Sequence, residues 1–364
     1  MTTSLRCALV GTGAVANLHA LAVAAHPRAD LIAVTDHKRS AAYAFAERHG
    51  LPAVYDDLEA LLAAEQPDVV LICTPPGVHR GQTITAFAAG AHVVVEKPPA
   101  SSLDELDEMR AAAVAADRQL AVVFQQRTGT AAAHVRRLLH EGALGRPLIA
   151  TCETLWYRGT DYFAVPWRGK WATEGGGTTL GHGIHQLDLL AFLLGEWATV
   201  RGELWRLDRE TETEDASTAT VTFASGAVAQ VTTSAVSPRE VSAIRIDTQK
   251  ATITVEHLYG HGHDNWSISP APGFEDEASA WAFPAVEERS DHGPLLRDVF
   301  DALLDSTPLP DTATAPARSF EIVAAVYASA AAGGALITPA DLAAHPTHRR
   351  SFASPVTDLR PGVS

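Results

Sequence analysis

Within the first 125 residues, short apolar runs alternate with helical patterns, and this alternation constrains the fold more than any other feature. Leu5–Val10, Leu31–Thr35, Val69–Thr74, His92–Val95 and Leu120–Phe124 read as strands buried on both faces. Between them Ala14–Ala25, Ser40–His49, Leu58–Glu65, Val78–Ala89 and Leu103–Ala116 read as helices, with Gly50 and Gly90 where two of them would stop. Strands joined by helical crossovers run parallel and need a helical layer on each face. Residues 1–125 are therefore predicted to form an α/β domain with a doubly wound parallel sheet.

The pattern changes after residue 125. Ala131–Glu141 predicts a helix, Leu148–Tyr157 a strand, and Ile184–Leu194 a helix behind a glycine cluster. Val200–Leu207, Ala216–Phe223, Ala227–Ala235, Val241–Asp247 and Ala251–His257 alternate apolar and polar residues, as strands with one buried face do. Pro294–Leu304 and Ala317–Ala332 predict two more helices, and Gly260–Glu277 reads as a polar loop. Residues 126–364 are thus expected to form a second α/β domain with a large, open, mainly antiparallel sheet. A chain of 364 residues accommodates two such domains.

Forty-three Asp and Glu against 28 Lys and Arg give a net charge of −15, which repels phosphate backbones and anionic lipid. Nucleic acid and membrane partners are accordingly not expected. Cys7, Cys73 and Cys152 are odd in number and widely spaced, and no disulfide framework or zinc spacing is visible. Without a signal-like or membrane-length apolar run, the expected location is cytoplasmic.

Gly11-Thr12-Gly13-Ala14-Val15-Ala16 follows the first strand and opens the first helix. In this G-x-G-x-x-A arrangement Gly11 permits a tight turn and Gly13 lets backbone approach a pyrophosphate at the helix N-terminus. The small Ala16 permits close helix–strand packing. Asp36 ends the second strand 23 residues after Gly13, where a carboxylate would accept hydrogen bonds from the adenine ribose. A carboxylate there repels a 2′-phosphate, so NAD is the expected cofactor. The neighbouring His37, Lys38 and Arg39 keep NADP as the alternative.

Further along come Cys73-Thr74-Pro75-Pro76 with His79, Glu96-Lys97-Pro98, Gln126-Arg127, Gly142-Ala143-Leu144-Gly145, and Gly175-Gly176-Gly177 leading to His185 and Asp188. In this order and spacing the chain resembles the Gfo/Idh/MocA oxidoreductases (glucose–fructose oxidoreductase, inositol dehydrogenase and rhizopine-catabolism proteins). The resemblance implies a Rossmann domain joined to an α/β domain whose open sheet often forms an oligomer interface. It also implies reversible oxidation of a secondary hydroxyl on a sugar, sugar derivative or polyol. Lys97 matches the family lysine that hydrogen-bonds the reacting oxygen, with a cis peptide to Pro98, and His185 matches the histidine that takes or returns the proton. By the same resemblance Gly11, Gly13, Ala14, Val15, Asp36, Thr74, Pro75, His79, Glu96, Lys97, Gln126, Trp167 and Arg168 are expected at the cofactor. Tyr157, His182 and Asp188 are expected beside Lys97 and His185 at the substrate.

The chemistry of the residue types agrees with those roles. Hydride removal leaves a hydroxyl proton that needs a base with a pKa near working pH, which suits histidine. A lysine near the oxygen stabilises developing negative charge. One position departs from the pattern: many relatives carry Asp or Asn four residues before the histidine, where this chain has Gly181. Either His182 replaces that side chain or it lines the pocket. Asp188 would orient His185 as an i, i+3 partner or bind substrate. A metal role for His182, His185 and Asp188, or for His257, His261, His263 and Asp264, is not expected.

Trp156, Tyr157, Tyr162, Trp167 and Trp171 crowd one segment together with Arg158, Arg168 and Lys170, a composition suited to the C–H faces and hydroxyls of a sugar. An uncovered sheet face predicts a homodimer or homotetramer. Two other functions fit the same residues: NAD-dependent glycoside cleavage by transient oxidation and elimination, and a non-catalytic dinucleotide-binding sensor.

Overall fold

Leu5–Val10 (β1), Ala29–Thr35 (β2), Ala53–Tyr55 (β3), Val69–Ile72 (β4), His92–Val95 (β5) and Leu120–Val122 (β6) make one parallel sheet in the order β3-β2-β1-β4-β5-β6. We describe them in a computed structural model that covers residues 4–257, 259–314 and 317–361. The order reverses between β1 and β4, and in such sheets ligands bind at the carboxyl ends beside that switch. Strand β3 has three half-buried residues and escapes the sequence reading, because so short a run carries no periodicity.

This first unit comprises residues 1–100, 104–125 and 292–315. The chain passes from one unit to the other between Gln125 and Gln126, while residues 101–103 join the second unit and 292–315 return to the first. Helix His292–Leu304 belongs to the first unit because its apolar stripe, Leu295, Leu296, Val299 and Phe300, joins the core of Ala16, Ala20 and Val23. Phe300 meets the His26 ring edge-on at 5.5 Å, and Arg28 pairs with Asp301 at 3.1 Å.

The second unit, residues 101–103, 126–291 and 316–364, is built on an eight-stranded sheet. Its strands are Pro147–Tyr157 (β7), Trp197–Arg206 (β8), Ala216–Phe223 (β9), Val228–Ser234 (β10), Val236–Thr248 (β11), Ala251–Glu256 (β12), Trp266–Pro270 (β13) and Thr357–Asp358 (β14). Their order is β13-β12-β11-β7-β10-β9-β8-β14, antiparallel except where β7 meets β10 and β8 meets β14. Strand β13 lies inside the segment expected to be loop; it pairs along β12 by backbone hydrogen bonds that polar Ser267 and Ser269 do not advertise. The inward face carries Cys152, Ala219, Val221, Val231, Ile244 and Ile246.

The outward face is mixed. Thr151, Arg201, Glu203, Thr218, Gln230 and Arg245 are exposed there, together with the apolar Ile149 and Tyr157 on β7. Strand alternation places these residues outward, and their chemistry suits water as well as a partner. Among the described residues, no helix is long and apolar enough to cross a membrane.

Candidate active site

The glycine loop leaves β1 directly into helix Ala16–Ala25. Gly11 has φ +87°, and a Cβ there would lie 2.8 Å from Thr74 Cγ2 and 2.9 Å from the Cys73 carbonyl. Only glycine fits where the β1 and β4 turns touch. Gly13 faces open space, with nothing within 4 Å of an added Cβ, which is the clearance a pyrophosphate needs; Ala14 is exposed and Val15 caps the helix. Ala16 is fully buried.

Asp36 closes back onto this loop. Its Oδ2 accepts hydrogen bonds from the Thr12 N–H at 2.7 Å and the Thr12 hydroxyl at 2.8 Å, and its Oδ1 accepts one from the Lys38 N–H at 2.8 Å. Burial pushes the Asp36 carboxyl up, but these donors outweigh it and hold the group below the usual carboxylate range. Arg39 pairs with Asp56 at 3.0 Å. The open loop and the carboxylate that closes onto it fit a dinucleotide. Thr12 was not singled out, since the middle position of G-x-G carries no residue preference.

Lys97 follows the carboxyl end of β5, is half-buried, and makes a cis peptide with Pro98. The buried Glu96 beside it accepts at Oε1 from His19 Nε2 (2.8 Å) and His292 Nε2 (3.1 Å), and at Oε2 from the Lys97 N–H (3.2 Å). Burial would raise the Glu96 carboxyl, but the two histidines hold it well below its ordinary value. The ligand-type atoms of these three residues lie within 4.8 Å of one another, and hydrogen bonding to the carboxylate accounts for that geometry.

His79 is fully buried, with Nδ1 2.9 Å from the Pro98 carbonyl and Nε2 2.7 Å from the Thr74 carbonyl. Burial lowers its pKa despite both carbonyls, so the ring is neutral and donates to one of them at a time. Thr74 spends its hydroxyl on Gln82 at 2.6 Å. These hydrogen bonds of the His79 and Glu96 side chains are all to protein groups. They brace the turns after β4 and β5 from beneath, because a buried polar group must be satisfied locally.

In the second unit the glycine cluster is shaped by contacts that leave no room for side chains. A Cβ on Gly176 would lie 2.4 Å from the Tyr327 hydroxyl, and one on Gly177 would lie 2.1 Å from the Glu214 carbonyl. Glu214 accepts from the N–H groups of Gly177 (3.2 Å) and Thr179 (3.0 Å) and from the Tyr327 hydroxyl (2.8 Å). Burial nevertheless pushes its carboxyl above the ordinary range. From this anchored turn the chain runs through a π-helical turn, Thr179–Gly183, into helix Ile184–Leu194. A wide turn of this kind often marks a functional site, and here it carries His182 directly before His185.

Both histidines are buried and share an aromatic surround. The Trp156 ring lies 4.8 Å from His182, 6.3 Å from His185 and 6.0 Å from Tyr259, and Tyr259 meets His185 edge-on at 5.4 Å. Tyr157, expected at the substrate, is instead 48% exposed under the Arg209 guanidinium. Neighbours along β7 point to opposite faces, so Trp156 rather than Tyr157 is turned toward His182 and His185. Tyr259 had no signal of its own, because it comes from a loop far away in sequence.

The Tyr162 hydroxyl lies 2.9 Å from His182 Nε2 and hydrogen-bonds the Arg168 guanidinium, which stacks on the Tyr162 ring at 3.7 Å and lies 4.4 Å from the Trp167 ring centroid. Burial raises the Tyr162 pKa, against the lowering effect of Arg168. Asp188 is buried in a two-pronged pair with Arg127, with Nε to Oδ2 at 2.6 Å, and accepts from the Ser319 hydroxyl at 2.6 Å. Its carboxylate makes no hydrogen bond to His185. Asp188 thus serves as the buried counter-ion of Arg127. Gln126 is buried as well and accepts from Gln186 Nε2 at 3.4 Å.

Comparison with known proteins bears on both units. Residues 5–124 match the model of the oxidoreductase family with an NAD-binding Rossmann fold, and residues 132–254 match the GFO/IDH/MocA C-terminal domain. The chain is 33% identical to the D-glucoside 3-dehydrogenase of Escherichia coli K12 over 285 residues, which is 71% of this chain and 80% of that one. It superposes on the WlbA dehydrogenase of Chromobactrium violaceum, solved with NADH and UDP-GlcNAcA. That match has a TM-score of 0.79 at 30% identity and covers 92% of this chain and 96% of the other. A levoglucosan dehydrogenase solved with NADH and levoglucosan shares the fold, with a TM-score of 0.77 at 23% identity, covering 92% and 99% of the two chains. With both of its domains matched, the chain belongs to the Gfo/Idh/MocA family of NAD-binding oxidoreductases.

Proposed function

We propose that this protein oxidises a secondary hydroxyl of a carbohydrate or polyol, with D-glucosides the first class to test. The observation that carries this reading is the placement of Lys97 at the carboxyl end of β5, on the same sheet edge as the Gly11 loop. Bound NAD supplies the hydride acceptor. Lys97 donates a hydrogen bond to the substrate oxygen as negative charge develops on it, and His185 takes the hydroxyl proton. The carbinol C–H and O–H bonds break, a carbonyl forms, and the proton leaves through the imidazole. Support for the substrate class comes from the glucoside-oxidising relative and from the rings of Trp156 and Tyr259 beside His185.

Asp36 supports a preference for NAD over NADP, since its ionised carboxylate would repel a 2′-phosphate. The test is NAD reduction against a panel of glucosides, free sugars, inositols and nucleotide sugars. Stoichiometric reduced nicotinamide with at least one of them is the expected result. Cleavage of a glycoside without accumulation of reduced cofactor would favour the elimination chemistry. Binding of NAD with no reaction on any carbohydrate would count against catalysis.

A further inference from the structure

We propose that Tyr162, held by Arg168, fixes His182 as the neutral tautomer protonated on Nδ1, which withholds His182 from proton transfer and makes Tyr162 and Arg168 positioning residues. The proposal deepens the functional reading and rests on His185 as the base. Its warrant is the direction of two hydrogen bonds. A guanidinium has donors and no acceptor, so Arg168 must donate to the Tyr162 oxygen. With the Arg168 donor on that oxygen, donation of the phenolic hydrogen to His182 Nε2, 2.9 Å away, leaves the nitrogen a bare acceptor, whereas an Nε2–H would compete with the guanidinium for the same oxygen. In neutral imidazole the other nitrogen, Nδ1, carries the proton.

Protonating His182 would set Nε2–H against the same phenol oxygen that already receives the guanidinium. The groups facing this pair make that worse. Arg158 lies 5.4 Å from the Tyr162 ring centroid and Arg168 3.7 Å, so an imidazolium would sit beside two cations. The nearby carboxylates are already committed: Glu240 pairs with Arg158 at 2.7 Å, and Glu174 lies 3.7 Å from Arg168 while accepting from the Gly169 N–H at 2.5 Å. Glu174 also flanks the glycine at 181. Its Oε1 would lie 3.7 Å from a Cβ built on Gly181, so a carboxylate from elsewhere in the chain already flanks the position where Asp or Asn was expected. An Asp at 181 would bring a second negative charge against it.

The test uses full-length protein with 15N-labelled histidine, the His182 signals being assigned by their loss in His182→Gln. A protonated Nδ1 and a bare Nε2 at neutral pH are expected. In Tyr162→Phe, which keeps the ring, the two nitrogens should become averaged between tautomers. Its kcat/KM should fall about tenfold, as for loss of one hydrogen bond, and acquire an acid-side ionisation absent from the wild type. A protonated Nε2 in the wild type overturns the proposal whatever the activity. So does a Tyr162→Phe protein with an unchanged His182 spectrum and pH profile. Absence of carbohydrate oxidation would instead strike the functional reading, and the spectrum would still decide the tautomer.

Discussion

Glu96 and Glu214 are both buried glutamates, one in each unit, yet their carboxyls are driven in opposite directions. Glu96 lies directly before Lys97, and two histidine rings at 2.8 and 3.1 Å hold it well below its ordinary pKa in spite of burial. Glu214 lies under the glycine turn that leads to His185. Burial raises it, even though two backbone N–H groups and a tyrosine hydroxyl converge on it. The difference lies in the donors: titratable rings compensate a buried negative charge more fully than neutral dipoles do. The frame beneath Lys97 is thus an ionised carboxylate held between two histidine rings, and the frame beneath the His185 segment is a close-packed turn.

The largest effects are expected at the two side chains these frames support. Lys97→Ala and His185→Ala should each lower kcat by about 10²–10⁴-fold while NAD affinity stays within a few-fold, read by steady-state kinetics and cofactor titration. His182→Ala should cost less than His185→Ala. An equal loss would make His182 the second proton carrier and erase the distinction drawn between them.

Breaking the ionic frame comes next. Glu96→Gln should destabilise the protein by about 1–3 kcal/mol in denaturant unfolding, because two histidines lose their carboxylate. Because its native pKa is lowered, the contribution of Glu96 is present above the ordinary carboxylate range and is lost as pH falls through the native value. The variant should therefore flatten the acid limb of stability against pH. Glu214 has the opposite sign. With its native pKa raised, its contribution is full below the ordinary carboxylate pKa and is lost as pH rises through the native value. Glu214→Gln should remove that upper slope at a cost below about 1 kcal/mol at neutral pH. A variant pair with identical pH profiles would dissolve the comparison.

The smallest effect concerns cofactor choice. Asp36→Ala should weaken NAD binding about tenfold and narrow its margin over NADP, measured by titrating both. Tighter NADP binding by the wild type would reverse the assignment.

What could be read from sequence follows the same division between the units. Gly11, Gly13, Ala16 and Asp36 were legible because a tight turn, an open loop, close helix packing and a strand-end carboxylate each demand a residue type at a fixed interval. The parallel strands were legible because burial on both faces makes them continuously apolar. Strand β13 and the return of His292–Leu304 to the first unit were not, since pairing and packing partners far apart in the chain decided them. The braces were hidden for the same reason. Nothing near Glu96 in sequence announces His19 and His292, and nothing near Gly177 announces Glu214 and Tyr327. On β7, strand alternation turns Trp156 and not Tyr157 toward the two histidines.

The central claim is that the chain removes a hydride from a carbinol carbon and passes it to NAD. The measurement that tests it most directly is a single turnover with a carbohydrate deuterated at that carbon, following cofactor reduction and the position of the label. The account predicts that deuterium slows the reduction, that the label appears in the reduced nicotinamide, and that His185→Ala abolishes the burst. Label retained on the carbohydrate carbon, or lost to water with no reduced cofactor formed, would contradict it.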